Sequence, residues 1–265
     1  MNAPLMNAPH TPAPHTRQPD ALAWRARLGV IGPATNTIVE PDFAAMCPPG
    51  VTNHHSRIPV ENASGLTDAD FIAATDLIGA NTLSAVRGVM PAAPDHLVMG
   101  MSAVTFYGGL AGAAAFEQRV RDACGLSISV GSSAIAAALR AYGGIARVAF
   151  LSPYFPSANA AVKRYLAEAG FETVRDVALQ CDSWRGIAQV PPSRLVPVLR
   201  ALDGDDVDAI CQIGTNLSMV RLAAEAERWL GKPVIAINTA TYWHALRAIG
   251  ITDRISGFGR LLEEF

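Results

Sequence analysis

Cysteine is scarce and scattered in this chain. Cys47, Cys124, Cys181 and Cys211 are its only four, and no two form a CxxC pair. Such spacing argues against a disulfide framework and favours free thiols in a reducing, cytoplasmic compartment. Basic runs are equally sparse: Lys163-Arg164 is the only adjacent Lys-Arg pair, and the formal net charge is -2. No polybasic surface is available for a phosphate backbone, so nucleic acid is not an expected partner. No uncharged apolar segment reaches membrane-spanning length, so no membrane partner is expected either. Outside the N-terminal stretch His54-His55 is the only histidine pair, and adjacent side chains rarely converge on one ion, so no metal site is expected. Glycine-rich phosphate signatures are missing too, since Gly29-Val30 and Gly32-Pro33 fit neither a dinucleotide fingerprint nor a P-loop.

What is present is apolar mass. The chain has 265 residues, 50% of them hydrophobic and 17% charged, enough for one broad α/β domain or two closely packed halves. Residues 1–24 are rich in Pro, Ala, His and Thr without a signal-like apolar stretch, and read as a disordered extension. Short strands are expected over Arg27 to Gly32 and Thr52 to Val60, and a helix over Thr67 to Arg87. Strand candidates then follow at 95–99, 126–130, 146–151, 171–179, 207–213 and 233–237. They alternate with helical candidates at 110–123, 132–142, 156–169, 191–202, 216–230 and 239–249. Alternation of this kind is the signature of βα units around mainly parallel sheets, with ligands bound beyond the carboxyl ends of the strands. The expected division is a first lobe of residues 25–125 plus 236–265 and a second of residues 126–235, with a shared cleft.

Two matched turns stand out. Gly100-Met101-Ser102 follows the apolar His96 to Met99, and Gly214-Thr215-Asn216 follows Ala209 to Ile213. Each puts a glycine and small polar groups where a buried strand meets a helix, so exposed N–H groups can attract an anion. Asn36 and Thr37, just after the first strand, offer an amide and a hydroxyl to a carboxylate. Helix capping accounts for these polar residues as well. Tyr154 lies between two prolines at a strand end, where a phenol with an ordinary pKa near ~10 serves as a neutral donor or moves a proton. His54 and His55 are further proton-transfer candidates, at most one of which faces the cleft because strand neighbours point to opposite sides. Arg57 is read either as a partner for a substrate carboxylate or as an ion pair beside Glu40, Asp42 or Glu61. His244, in a helical pattern, is read as a packing residue.

These turns, together with Gly32 to Thr37, Glu40-Pro41 and the tail from Asn238 to Gly250, resemble the aspartate/glutamate racemase superfamily, above all its maleate isomerase and arylmalonate decarboxylase branches. The resemblance runs from about residue 27 to 262. It implies two pseudo-symmetric Rossmann-like lobes with four-stranded sheets, no metal or organic cofactor, and a small carboxylate held between the lobes. It places Gly100, Met101 and Ser102 on the first donor turn, Tyr154 on a pocket tyrosine and Asn36 on an asparagine of the isomerases. It also exposes a departure. The two positions at which racemases carry catalytic cysteines fall here on Gly100 and Gly214, and Cys211 lies three residues before the second. Two-thiol racemisation and standard covalent isomerisation are therefore not expected.

The leading expectation is a cofactor-independent isomerase or carbon-carbon lyase that stabilises an enediolate through Asn36, Thr37, the Gly100 turn and the Gly214 turn. Tyr154, His54 or His55 would supply the proton, and Cys211 would matter only if it reached the cleft. The alternatives are a hydrolase of a carboxylated amide, in which His54 or His55 holds water, and a carboxylate sensor without turnover. Apolar helical faces allow a homodimer or higher homo-oligomer.

Overall fold

The apolar runs between small-residue turns become two parallel sheets with the same strand order. The computed structural model describes residues 20–63 and 65–265, so the extension expected over residues 1–24 lies, as far as residue 19, outside the described residues. In the first sheet β1 (Ala26–Pro33), β2 (Val51–Ile58), β3 (His96–Met99) and β4 (Ile128–Ser129) run in the order β2-β1-β3-β4. In the second, β5 (Arg147–Ser152), β6 (Glu172–Ala178), β7 (Ala209–Gln212) and β8 (Val234–Ala236) run in the order β6-β5-β7-β8. All pairings are parallel.

The strand order reverses direction between β1 and β3 and again between β5 and β7. Loops leaving such neighbours diverge to opposite faces and open a crevice, the usual binding place of a parallel α/β sheet. These are the strands that lead into Asn36, Gly100, Tyr154 and Gly214. They are well buried: β3 and β7 are buried at every residue, whereas the edge strand β6 has no fully buried residue.

The helices of the first half are α1 (Val39–Ala45), α2 (Asp68–Val89), α3 (Ala103–Phe106), α4 (Gly109–Cys124) and α5 (Gly131–Tyr142). They are followed by α6 (Pro156–Glu168), α7 (Trp184–Ala188), α8 (Pro192–Leu202), α9 (Val220–Leu230), α10 (Ile237–Ala248) and α11 (Arg260–Glu264). The expected long helices therefore form, with one informative difference. The helix expected from residue 216 begins only at Val220, because Thr215 and Asn216 are engaged across the cleft and Gly214 has φ +102°. The short α1 lies where no element was expected. It forms because Asn36 Oδ1 accepts from the N–H groups of Ile38 and Val39, both at 3.0 Å, and because Pro41 falls in the first turn, where an N–H has no intrahelical partner to lose.

Ile128 and Ser129 pair with Leu97 and Val98, so β4 completes the first sheet. At the end of the chain α10 packs on β3, β4 and α5. His244 on α10 accounts for one buried polar chain. Its Nδ1 meets Ser129 Oγ at 2.8 Å, and Ser129 Oγ meets His96 Nε2 at 2.8 Å.

Burial pushes His96 down to about 4, with nearby His244 acting in the same direction. A histidine depressed in the folded state contributes stability that is present above the unfolded value of 6.5 and is lost as the pH falls through about 4. Between pH 7 and pH 4 the wild type is expected to lose about 3 kcal/mol more than a His96→Gln variant in urea unfolding. Equal losses would contradict a buried neutral His96.

Candidate functional site

Four strand ends meet where the two crevices face each other. Asn36, just beyond β1, is fixed by the two α1 N–H groups that its Oδ1 accepts, and this aims its Nδ2 across the cleft. Nδ2 donates to Thr215 Oγ1 at 3.1 Å and to the Gly100 carbonyl at 3.3 Å. Thr215 Oγ1 itself donates to the Gly100 carbonyl at 2.8 Å. Thr37 N donates to Asn216 Oδ1 at 2.9 Å, and Asn216 Nδ2 donates to the Trp184 carbonyl at 2.8 Å. Residues far apart in sequence thus form one polar seam between the sheets.

Beside the seam lies a second cluster. Ser102 Oγ and Tyr154 OH are 2.8 Å apart, and Gly214 N donates to Ser102 Oγ at 3.2 Å. Tyr154 is 3% exposed, and burial raises its phenol above the ordinary 10 while the Ser102 hydrogen bond pulls the other way. It is therefore a neutral donor at physiological pH. Pro33, Met101, Pro153 and Ile187 supply apolar walls to a cavity of about 30 Å³, room for about one water. Across Trp184 lies a groove of about 870 Å³, lined by Pro59, Val60, Leu66, Ala74 and Leu77. Among the described residues Trp184 alone lines both.

The remaining candidates fall elsewhere. His54 and His55 stand within the edge strand β2, one strand away from the crevice, and neither lines the cavity. The structure does not bring either of them to the cavity, where one was expected to face it. His54 Nε2 meets Thr52 Oγ1 at 2.8 Å. His55 Nδ1 lies 3.5 Å from Glu40 Oε1, and burial lowers its pKa, with Glu40 opposing and Arg57 reinforcing. Arg57 pairs with Glu40, as one of its two readings expected, and donates to the carbonyls of Asn36 at 2.6 Å and Pro33 at 3.3 Å. It braces the Asn36 turn from behind and does not line the cavity.

Cys211 stays in β7 opposite Phe150 and Ile235, fully buried, and burial pushes its thiol up to about 12. It does not line the cavity. All four cysteines are free. Among the described residues no group of three or more His, Cys, Asp or Glu side chains could hold a metal ion, and no helix is long and apolar enough to cross a membrane. Residue patterns missed Trp184 and Ile187, which carry no local polar signal, and Asn238, which was read as part of the tail motif rather than as a site contact.

A family profile described as arylmalonate decarboxylase matches residues 30–262. The chain belongs to the arylmalonate decarboxylase family. Its relatives place it in the maleate isomerase and arylmalonate decarboxylase branch of the aspartate/glutamate racemase superfamily, and so among enzymes. Arylmalonate decarboxylase of Bordetella bronchiseptica is 29% identical over 84% of this chain and 97% of its own length. Maleate isomerase of Nocardia farcinica is 26% identical over 90% and 96%. A structure of a Nocardia farcinica maleate cis-trans isomerase mutant with a covalently bound succinylcysteine intermediate superposes with a TM-score of 0.82, at 24% identity, over 91% of this chain and 99% of that one.

Within this decarboxylase-family site the two glycines differ in what they tolerate. A Cβ on Gly214 would lie 2.5 Å from Pro153 Cγ on a backbone at φ +102°, whereas one on Gly100 would lie 3.2 Å from Ile31 O and Val39 Cγ1. Gly214→Ala is expected to cost at least about 2 kcal/mol in denaturant unfolding, and Gly100→Ala about 1 kcal/mol. A Gly214→Ala variant as stable as wild type would contradict the crowding by Pro153.

Proposed function

We propose that this chain is a cofactor-independent, thiol-independent decarboxylase of a malonate bearing an apolar substituent. The observation that carries the reading is the convergence of Tyr154 OH, Ser102 Oγ and Gly214 N beside a cavity that Tyr154 and Gly214 line and to which no thiol contributes. A side chain starting at Gly214 would lie 3.6 Å from Tyr154 Cζ, so the phenol stands beside the position at which related enzymes carry a cysteine.

The chemistry follows from these groups. Asn36 Nδ2 and the Thr215 hydroxyl, which otherwise donate to the Gly100 carbonyl, turn from it to hold one carboxylate of the substrate as the cavity opens to admit it. The other leaves as carbon dioxide, and the bonding electron pair passes into the retained carboxylate to give an enediolate. Donors aimed at oxygens on which charge grows stabilise that state more than the ground state. The Tyr154 phenol then gives its proton to the enediolate carbon, a far stronger base than phenolate, and the phenolate, held by its Ser102 contact, takes a proton from water that enters the cavity. The raised phenol pKa keeps that proton in place at neutral pH. The groove beyond Trp184 supports an apolar substituent, which maleate lacks.

The test is incubation with alkyl- and arylmalonates and with maleate in D₂O, followed by proton NMR and mass spectrometry. Carbon dioxide loss with one deuteron at the α-carbon is expected from a substituted malonate. Tyr154→Phe should lower kcat by about 10²- to 10³-fold. Conversion of maleate alone, or a Tyr154→Phe variant at the wild-type rate, would overturn the reading, and binding without turnover would favour a sensor.

A further inference from the structure

Asp42 is a buried carboxylate that the chemistry above does not use. It lies on α1 with 8% exposure, and its Oδ2 accepts from Asn238 Nδ2 at 2.8 Å. The same Nδ2 donates to the Thr215 carbonyl at 2.9 Å. Asn238 is 1% exposed, in the first turn of α10, and its Oδ1 is buried without a hydrogen-bond partner. Thr215 in turn meets Asn36 and Gly100, and Asn36 binds the N–H groups that open α1. The contacts form a closed ring through both lobes, in which Asn36 and Thr215 line the cavity while Asp42 and Asn238 stand behind them.

We propose that Asp42 is a positioning residue: its carboxylate, through Asn238, holds the backbone of Thr215 and with it the polar seam between the lobes. Hydrogen-bond strength favours the ionised form. A carboxylate only accepts, so Asp42 and the Thr215 carbonyl are both satisfied by Nδ2 with the amide in one orientation. A protonated Asp42 still accepts through its carbonyl oxygen, but without the charge that strengthens the bond. Protonation therefore weakens the hold of Asp42 on Asn238 and slackens the Thr215 turn.

The surroundings put this change in an accessible range. Burial pushes Asp42 up to about 6, against the Asn238 hydrogen bond and the charge of Arg221 on α9. Arg221 also donates to the Gly257 carbonyl. Glu40, on the same helix as Asp42, is turned to Arg57 and His55 of β2. On α10, the Tyr242 ring packs on Phe43 and its hydroxyl donates to Asn53, His244 is engaged by Ser129, and Arg247 donates to the Phe265 carbonyl. Because the carboxyl is raised from 3.8, its contribution to stability is full below that value and is lost as the pH rises through about 6. The ionised form is thus kept at a cost to the fold, as expected of a group that serves the site.

The proposal rests on the decarboxylase reading only for its effect on turnover, and its test needs no substrate. Carboxyl carbons of aspartate-labelled full-length protein are followed by NMR against pH, with Asp42 assigned from its absence in Asp42→Asn, beside the backbone amides of Thr215 and Asn216. An Asp42 midpoint near 6 is expected, with the Thr215 amide moving at the same midpoint in wild type. That movement should disappear in Asp42→Asn and in Asn238→Ala, the second variant serving if the first does not fold. A Thr215 amide that does not follow the Asp42 titration, or one that still follows it in Asn238→Ala, would overturn the proposal.

Discussion

One side-chain amide fastens the two sheets together. Asn36 spends its oxygen on the start of α1 and its nitrogen on Thr215 and Gly100, so the turn after β1, the turn after β3 and the turn after β7 are held by a single planar group. Neither lobe can set the relative positions of these turns by itself, because each sheet ends in its own crevice. The seam converts two crevices into one site. Arg57 grips the carbonyls of Asn36 and Pro33 from behind, and Asn216 extends the same fastening to Trp184, which walls the cavity from the groove.

No thiol lines the cavity, and shape contributes to this as much as residue identity. At Gly214 the backbone turns through a positive φ and Pro153 closes on the space a side chain would need, with the Tyr154 ring beside it. On the proposed reading the proton is held on a phenol kept neutral by burial rather than on a thiol. Cys211, close in sequence to Gly214, is drawn into the sheet by strand pairing, and its raised pKa makes it a poor nucleophile.

Much of the architecture was legible because parallel strands read as apolar runs and the turns after them as clusters of glycine and small polar residues. Gly100, Ser102, Tyr154, Gly214, Thr215 and Asn216 were found by that logic, and the structure brings them together. The pairing of the short β4 with β3 was not legible, because local patterns carry no information on which sheet receives a two-residue strand. For His54 and His55 residue type was visible but strand order was not, and only the order puts β2 at an edge, away from the cavity. Trp184 and the Asp42 to Asn238 contact depend on the approach of elements distant in sequence, which no periodicity records.

The central claim is that catalysis here needs no thiol. It is tested most directly by replacing Cys47, Cys124, Cys181 and Cys211 together with alanine or serine and measuring the decarboxylation rate on the best substituted malonate, with circular dichroism to verify folding. Turnover retained within about threefold is the expected result, since a group outside the cavity can act on the barrier only through small shifts in packing. Loss of activity in the folded cysteine-free chain, restored by returning Cys211 alone, would contradict the account and move the proton to that thiol.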